Sequence, residues 1–127
     1  MDERRNRRLS GLVGAFLLVV AAAAGVLAGS DLLATPALLV QVLLLGLAGV
    51  CDLAATGLVG LPDGVAWYQA SGLGNVLLGV SLPLGFSGTS SLALLAVTAV
   101  GGFALAAMGI DMLAFHGKYT RGERLDA

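Results

Sequence analysis

The chain has 127 residues, 57% hydrophobic and only 12% charged; an ordinary soluble domain has about 45–50% and about 25%, so a conventional water-soluble core is excluded. The net charge of −1 conceals a pattern: all seven basic residues lie at the two ends, Arg4, Arg5, Arg7 and Arg8, then Lys118, Arg121 and Arg124, which leaves no basic stripe for a nucleic-acid groove. The one cysteine, Cys51, allows neither an intramolecular disulfide nor a cysteine-held metal site.

Residues 1–8, MDERRNRR, read as a basic cytoplasmic flank under the positive-inside rule. Leu9 to Ala28 is a run of 20 residues without a charge, longer than the 7–15-residue core of a secretory signal, and is taken as the first span. Gly29 to Pro36 is a turn, with Pro36 suited to open the next helix. The second span is 36–56. Gly57 to Val65 contains Pro62-Asp63-Gly64, in which Pro fixes its own φ, Asp bonds local backbone and Gly takes positive φ. The third span, 66–86, opens on Trp67-Tyr68, aromatics that favour the headgroup level. Ser87 to Ser90 is a polar turn. The fourth span, 91–115, carries a single charge, Asp111. Residues 117–127 form a mixed-charge tail, expected to fray or to lie on the membrane surface.

About 20 apolar residues at 1.5 Å each cross a bilayer's hydrocarbon core, so each run is long enough. The expected fold is all-α integral membrane: four antiparallel transmembrane helices in one membrane domain, residues 9–116, closed as a four-helix bundle by short loops. Two basic termini and an even number of spans place both ends in the cytoplasm, with the protein in the cytoplasmic membrane.

The second half overlays the first. A shift of 59 residues sets Gly29 on Gly88 and Asp52 on Asp111, and a shift of 61 sets Ser10-Gly11-Leu12 on Ser71-Gly72-Leu73. This reads as two tandem helical-hairpin repeats related by an axis along the membrane normal. Asn75 to Phe86, NVLLGVSLPLGF, followed by a short turn and a Gly-rich helix, resembles one unit of the SPW-repeat membrane proteins. Those units are two-helix hairpins with an Asn, a Gly and a Ser-Pro-Trp near the end of the first helix. In this chain Leu82 separates Ser81 from Pro83, Leu84 stands where Trp is expected, and the first half has Ala24 in place of the proline.

Asp52 and Asp111 are the candidate ion or proton site, because a carboxylate inside a span costs a few kcal/mol and is often functional. Both fall near the inner boundary, where Thr56, Tyr68, His116 or a terminal Arg are the expected caps. Asn75 and Gln41 are candidate intramembrane polar contacts, and Ser71, Asn75, Gly79 and Pro83 form a stripe at four-residue spacing. Ala21, Gly25 and Gly29, and Thr98, Gly102 and Ala106, are small-residue faces expected to pack helices closely. No HExxH, CxxC or P-loop motif appears, so neither cofactor nor metal is expected and catalytic residues are absent from the reading. The function that follows is a structural or accessory subunit, with the lipid bilayer as surroundings and a homo-oligomer or a larger membrane complex as partner. The alternative is an oligomeric channel or transporter protomer with both aspartates at an inner vestibule.

Overall fold

The basic flank is already helical. Glu3 and Arg7 stand one turn apart and pair at 3.4 Å, and both types are good helix formers. Helix α1 therefore runs over Glu3–Ala28, six residues ahead of the apolar run. The structure is a computed structural model that describes residues 3–58, 60–86, 91–122 and 124–126. After α1, Gly29 adopts φ +53° and its N–H bonds the Gly25 carbonyl at 3.2 Å, a left-handed helix stop that favours glycine. The first turn holds a one-turn helix not foreseen in the sequence, α2 (Asp31–Ala34). Thr35 is extended, as a residue before proline prefers, and Pro36 opens α3 (Pro36–Ala55).

Thr56 and Gly57 stop α3: the Thr56 hydroxyl donates to the Leu53 carbonyl at 2.6 Å, and Gly57 takes φ +85°. The Pro62 turn forms as its chemistry dictates, with Val65 N–H on the Pro62 carbonyl at 3.1 Å and Gly64 at φ +85°. Helix α4 covers Trp67–Gly85, and the Gln69 side chain accepts the Ala66 N–H at 2.9 Å. Helix α5 covers Leu92–Ala114 and is capped by the Ser91 hydroxyl. The turn expected over Ser87 to Ser90 lies outside the described residues.

The long helices pack in chain order, α1 on α3, α3 on α4 and α4 on α5, each pair antiparallel. This is a row and not the closed bundle expected, since α1 and α5 form the two edges and share no extended contact. Three of the helices, α1, α3 and α5, are long and apolar enough to cross a membrane. Helix α4 is not among them. It carries Gln69, Ser71, Asn75 and Ser81 and four glycines; it packs between α3 and α5 and, Tyr68 apart, buries small residues. The apolar core is correspondingly slight: a cluster of Leu17, Ala21, Leu45 and Ala48, with Val20, Val42, Leu77 and Leu78 against it, and Ala55, Tyr68, Ala70 and Met112 buried besides. Large apolar side chains point outward instead, Phe16 and Val19 on α1 and Val100 and Phe103 on α5. An apolar surface of that extent belongs in lipid or against another protein.

Glycines set the helix separations. A Cβ on Gly14 would stand 2.7 Å from the Gly49 carbonyl oxygen, and one on Gly49 would stand 2.9 Å from the Gly14 oxygen. The same reciprocity holds for Gly72 with Gly109 and for Gly79 with Gly102, seven residues apart along both α4 and α5. The expected packing role of Gly25 and Gly29 has no counterpart among the described residues: none lies within 4 Å of a Cβ built on either, and Gly29 is a turn glycine. The close contact on α1 is made at Gly14, nearer the polar end.

The same substitution should therefore give opposite results at two glycines. Gly79→Ala forces backbones apart and should cost about 1–3 kcal/mol of stability. Gly25→Ala should leave stability within about 0.5 kcal/mol or raise it. Unfolding of the two variants in detergent checks this.

Candidate functional site

The starts of α1 and α4 and the ends of α3 and α5 meet at one end of the molecule, where nearly all the polar side-chain contacts between helices occur. Asp52 lies one turn before the end of α3 and is only 2% exposed. Two hydroxyls reach its Oδ1, Ser10 from α1 at 2.9 Å and Ser71 from α4 at 3.0 Å. The two Oγ atoms are 3.2 Å apart. One carboxylate oxygen thus joins three helices. Glycine makes the room: a Cβ on Gly14 would come within 3.0 Å of Asp52 Cβ, and one on Gly74 within 3.2 Å of its Cγ. The two carboxyl oxygens are unequal, because Oδ2 is buried with no hydrogen-bond partner among the described residues.

Asp111 is settled differently. It is 4% exposed, near the end of α5. The chain beyond α5 turns back at His116, φ +58°, and Gly117, φ +80°, and Gly117 N–H bonds the Asp111 carbonyl at 3.1 Å. The tail then lays consecutive amides on the carboxylate. Thr120 N–H donates at 2.7 Å and its hydroxyl at 2.6 Å to Oδ2, and Tyr119 N–H donates at 3.2 Å. Successive backbone N–H groups form a small anion nest of this kind. Leu125 N–H closes the tail on the His116 carbonyl at 2.8 Å, and the Leu125 side chain packs on Gly117. The described part of the tail therefore forms a cap over Asp111. Beyond it, a hydrogen bond from the Arg124 guanidinium holds the Asp126 carboxyl below the usual carboxylate range.

The side chains expected to cap the two aspartates have other partners. Thr56 bonds Leu53, and Arg7 Nε donates to the Ala55 carbonyl at 2.9 Å, placing a cation on the negative end of α3. The Tyr68 and His116 rings stack edge to face at 5.7 Å between centroids. Asp52 and Asp111 thus have separate shells and share no partner among the described residues. Asn75 Nδ2 lies 3.7 Å from Met112 Sδ, a weak bond across α4 and α5. Gln41 sits at the opposite end, its amide against Gly85. Gly102 and Ala106 face Gly79, with Ala106 N 2.8 Å from a Cβ built there. Cys51 is a free, half-buried thiol. No group of three or more His, Cys, Asp or Glu able to hold a metal occurs among the described residues.

The chain belongs to a family of unknown function (DUF7994), which matches residues 5–126 and so takes in α1 from Arg5 onward, the other helices and the Asp111 cap. No curated protein and no solved structure matches it.

Sequence reasoning missed Ser10 as a donor to Asp52. Counted from Leu9, Ser10 stands at the very start of a span. Counted from Glu3, it lies two turns in, level with an acid one turn from the end of the antiparallel α3. The missed signal is the helical character of the arginine flank.

Ser10→Ala and Ser71→Ala should each cost about 0.6 kcal/mol and at most about 1.7, the range for hydrogen bonds between membrane helices. Because both hydroxyls meet one oxygen and each other, the double variant should depart from the sum of the two, which a double-mutant cycle on unfolding in detergent detects. Thr120→Ala removes a donor from Asp111 and should speed tryptic cleavage after Arg121 severalfold without changing helix content by circular dichroism.

Proposed function

We propose that this chain is a four-span integral protein of the cytoplasmic membrane, with both termini in the cytoplasm, acting as a structural or accessory subunit and not as an enzyme. The observation that carries the reading is how the two acids are held. Asp52 joins α1, α3 and α4, and Asp111 anchors the tail; each is at most 4% exposed and engaged in structural hydrogen bonds. Helix α4 is taken as the fourth span because it runs antiparallel between two apolar helices and is 19 residues long, roughly 28 Å at 1.5 Å per residue. The bilayer covers most of the apolar surface. The outward faces of α1 and α5, at the two open edges of the row, are the places for a second copy or a larger membrane complex. Two tandem hairpin units of the kind seen in SPW repeats remain part of this reading, supported by Asp52 and Asp111 standing at matching places near the ends of α3 and α5.

One observation favours a second reading, an oligomeric channel or transporter protomer. Asp52 Oδ2 is a buried acceptor with no donor among the described residues, as a proton-binding group inside a membrane would be. The readings separate in vesicles. For the structural reading, the purified chain should give no proton or cation flux above empty vesicles, and native mass from its own host should show a fixed-ratio assembly. A flux that Asp52→Asn abolishes establishes the second reading instead.

A further inference from the structure

A cavity of about 860 Å³ lies between α1 and the end of α3, with arginines in one part of its lining, leucines in another, and small residues and Thr56 between them. Arg4, Arg7 and Arg8 stand at one end, on one face of α1 at the i, i+3, i+4 positions. Leu12, Leu53 and Leu58 form the other part, and Leu12 and Leu58 are largely exposed. No carboxylate lines it among the described residues; Glu3, beside the lining, pairs with Arg7 at 3.4 Å and leaves the site with a net positive charge. Arg7 is tethered by its bond to the Ala55 carbonyl, while Arg8 makes no hydrogen bond or ion pair among the described residues. Depth completes the picture. Helix α1 is 26 residues long, roughly 39 Å, about 9 Å more than the hydrocarbon core, and the excess is its arginine-bearing start. The guanidinium groups therefore stand at headgroup level when the apolar run lies among the lipid tails.

We infer that this cavity binds one anionic phospholipid, its phosphate among Arg4, Arg7 and Arg8 and its acyl chain along the leucines between α1 and α3. The inference rests on the membrane-spanning reading. Charge fixes the sign of the ligand, and the adjoining exposed leucines fix its class, because a free phosphate has nothing to place on them. Guanidinium forks suit phosphate oxygens, and basic pockets between helices near the cytoplasmic face are where anionic headgroups collect. Arg7 also caps α3, so occupancy should tighten the contact between α1 and α3.

The test is lipid retention by the full chain in native mass spectrometry after solubilisation from vesicles of phosphatidylglycerol and phosphatidylcholine. Wild type should retain one phosphatidylglycerol in preference to phosphatidylcholine. Arg4→Gln with Arg8→Gln, which spares Arg7, should lower that retention roughly thirtyfold, on the scale of basic residues at an anionic surface. Arg4→Lys with Arg8→Lys should restore most of it, which separates loss of charge from loss of fold. Equal retention of both lipids, an unchanged Gln variant, displacement by inorganic phosphate, or an acidic peptide carried in the cavity would each overturn the lipid site. Alkaline carbonate extraction of native membranes is read separately. A chain released by carbonate defeats the membrane reading itself, whereas a chain that stays in the pellet and shows no lipid preference defeats only the site.

Discussion

The fold depends on backbone meeting backbone at glycine. On the membrane reading proposed above, the hydrocarbon around a helix is as apolar as leucine, so no hydrophobic force draws helices together. What remains is close contact over small residues and a few hydrogen bonds. The three reciprocal pairs supply the first. In each, the hydrogen that replaces Cβ points at the partner's carbonyl oxygen, an arrangement that recurs at helix interfaces and is worth about 0.5–1 kcal/mol per contact. Two such pairs, seven residues apart, fix both the register and the antiparallel sense of α4 and α5. The consequence for α4 is compositional. Packed on two sides by other helices, it cannot carry large side chains at Gly72, Gly74 or Gly79, and its hydropathy falls for that reason.

The same close approach lets polar groups work inside the row. With Gly14 on one side and Gly74 on the other, the Asp52 carboxyl occupies a space that any larger residue would fill. Serines from two other helices then reach one oxygen. Asp111, at the edge helix α5, has no third helix to draw on, and the tail takes that part with the amides of Tyr119 and Thr120. Two acids at matching places in two hairpins are thus satisfied by different means. Ser71, the overlay partner of Ser10, bonds the acid of the first hairpin and not its own.

Much of the architecture was legible because it rests on run length and turn chemistry. Apolar runs without charge, Pro36 at a helix start and Pro62-Asp63-Gly64 at a turn are all local signals. The order of packing was not legible, since a row and a closed bundle demand the same four runs. Which glycines pack was only partly so. Gly25 and Gly29 have the right spacing along α1, but spacing on one helix does not say where the neighbour crosses. The Asp111 shell was hidden for a different reason. Apart from the Thr120 hydroxyl, it is built from backbone amides of Tyr119 and Thr120, and amides leave no mark in a sequence. Arginines in the flank drew attention to charge and away from the helix they extend.

The central claim is that α4 crosses the membrane, so that four helices cross and the two ends share a side. Labelling of single cysteines with a membrane-impermeant maleimide on intact cells tests it most directly. Cys51→Ser removes the native thiol, and Asp31→Cys, Asp63→Cys and Lys118→Cys are then compared one at a time. The account predicts that Asp31→Cys reacts from outside, whereas Asp63→Cys and Lys118→Cys react only after permeabilisation. Labelling of Lys118→Cys from outside, with Asp63→Cys still protected, would mean three crossings with α4 on the membrane surface and would contradict it.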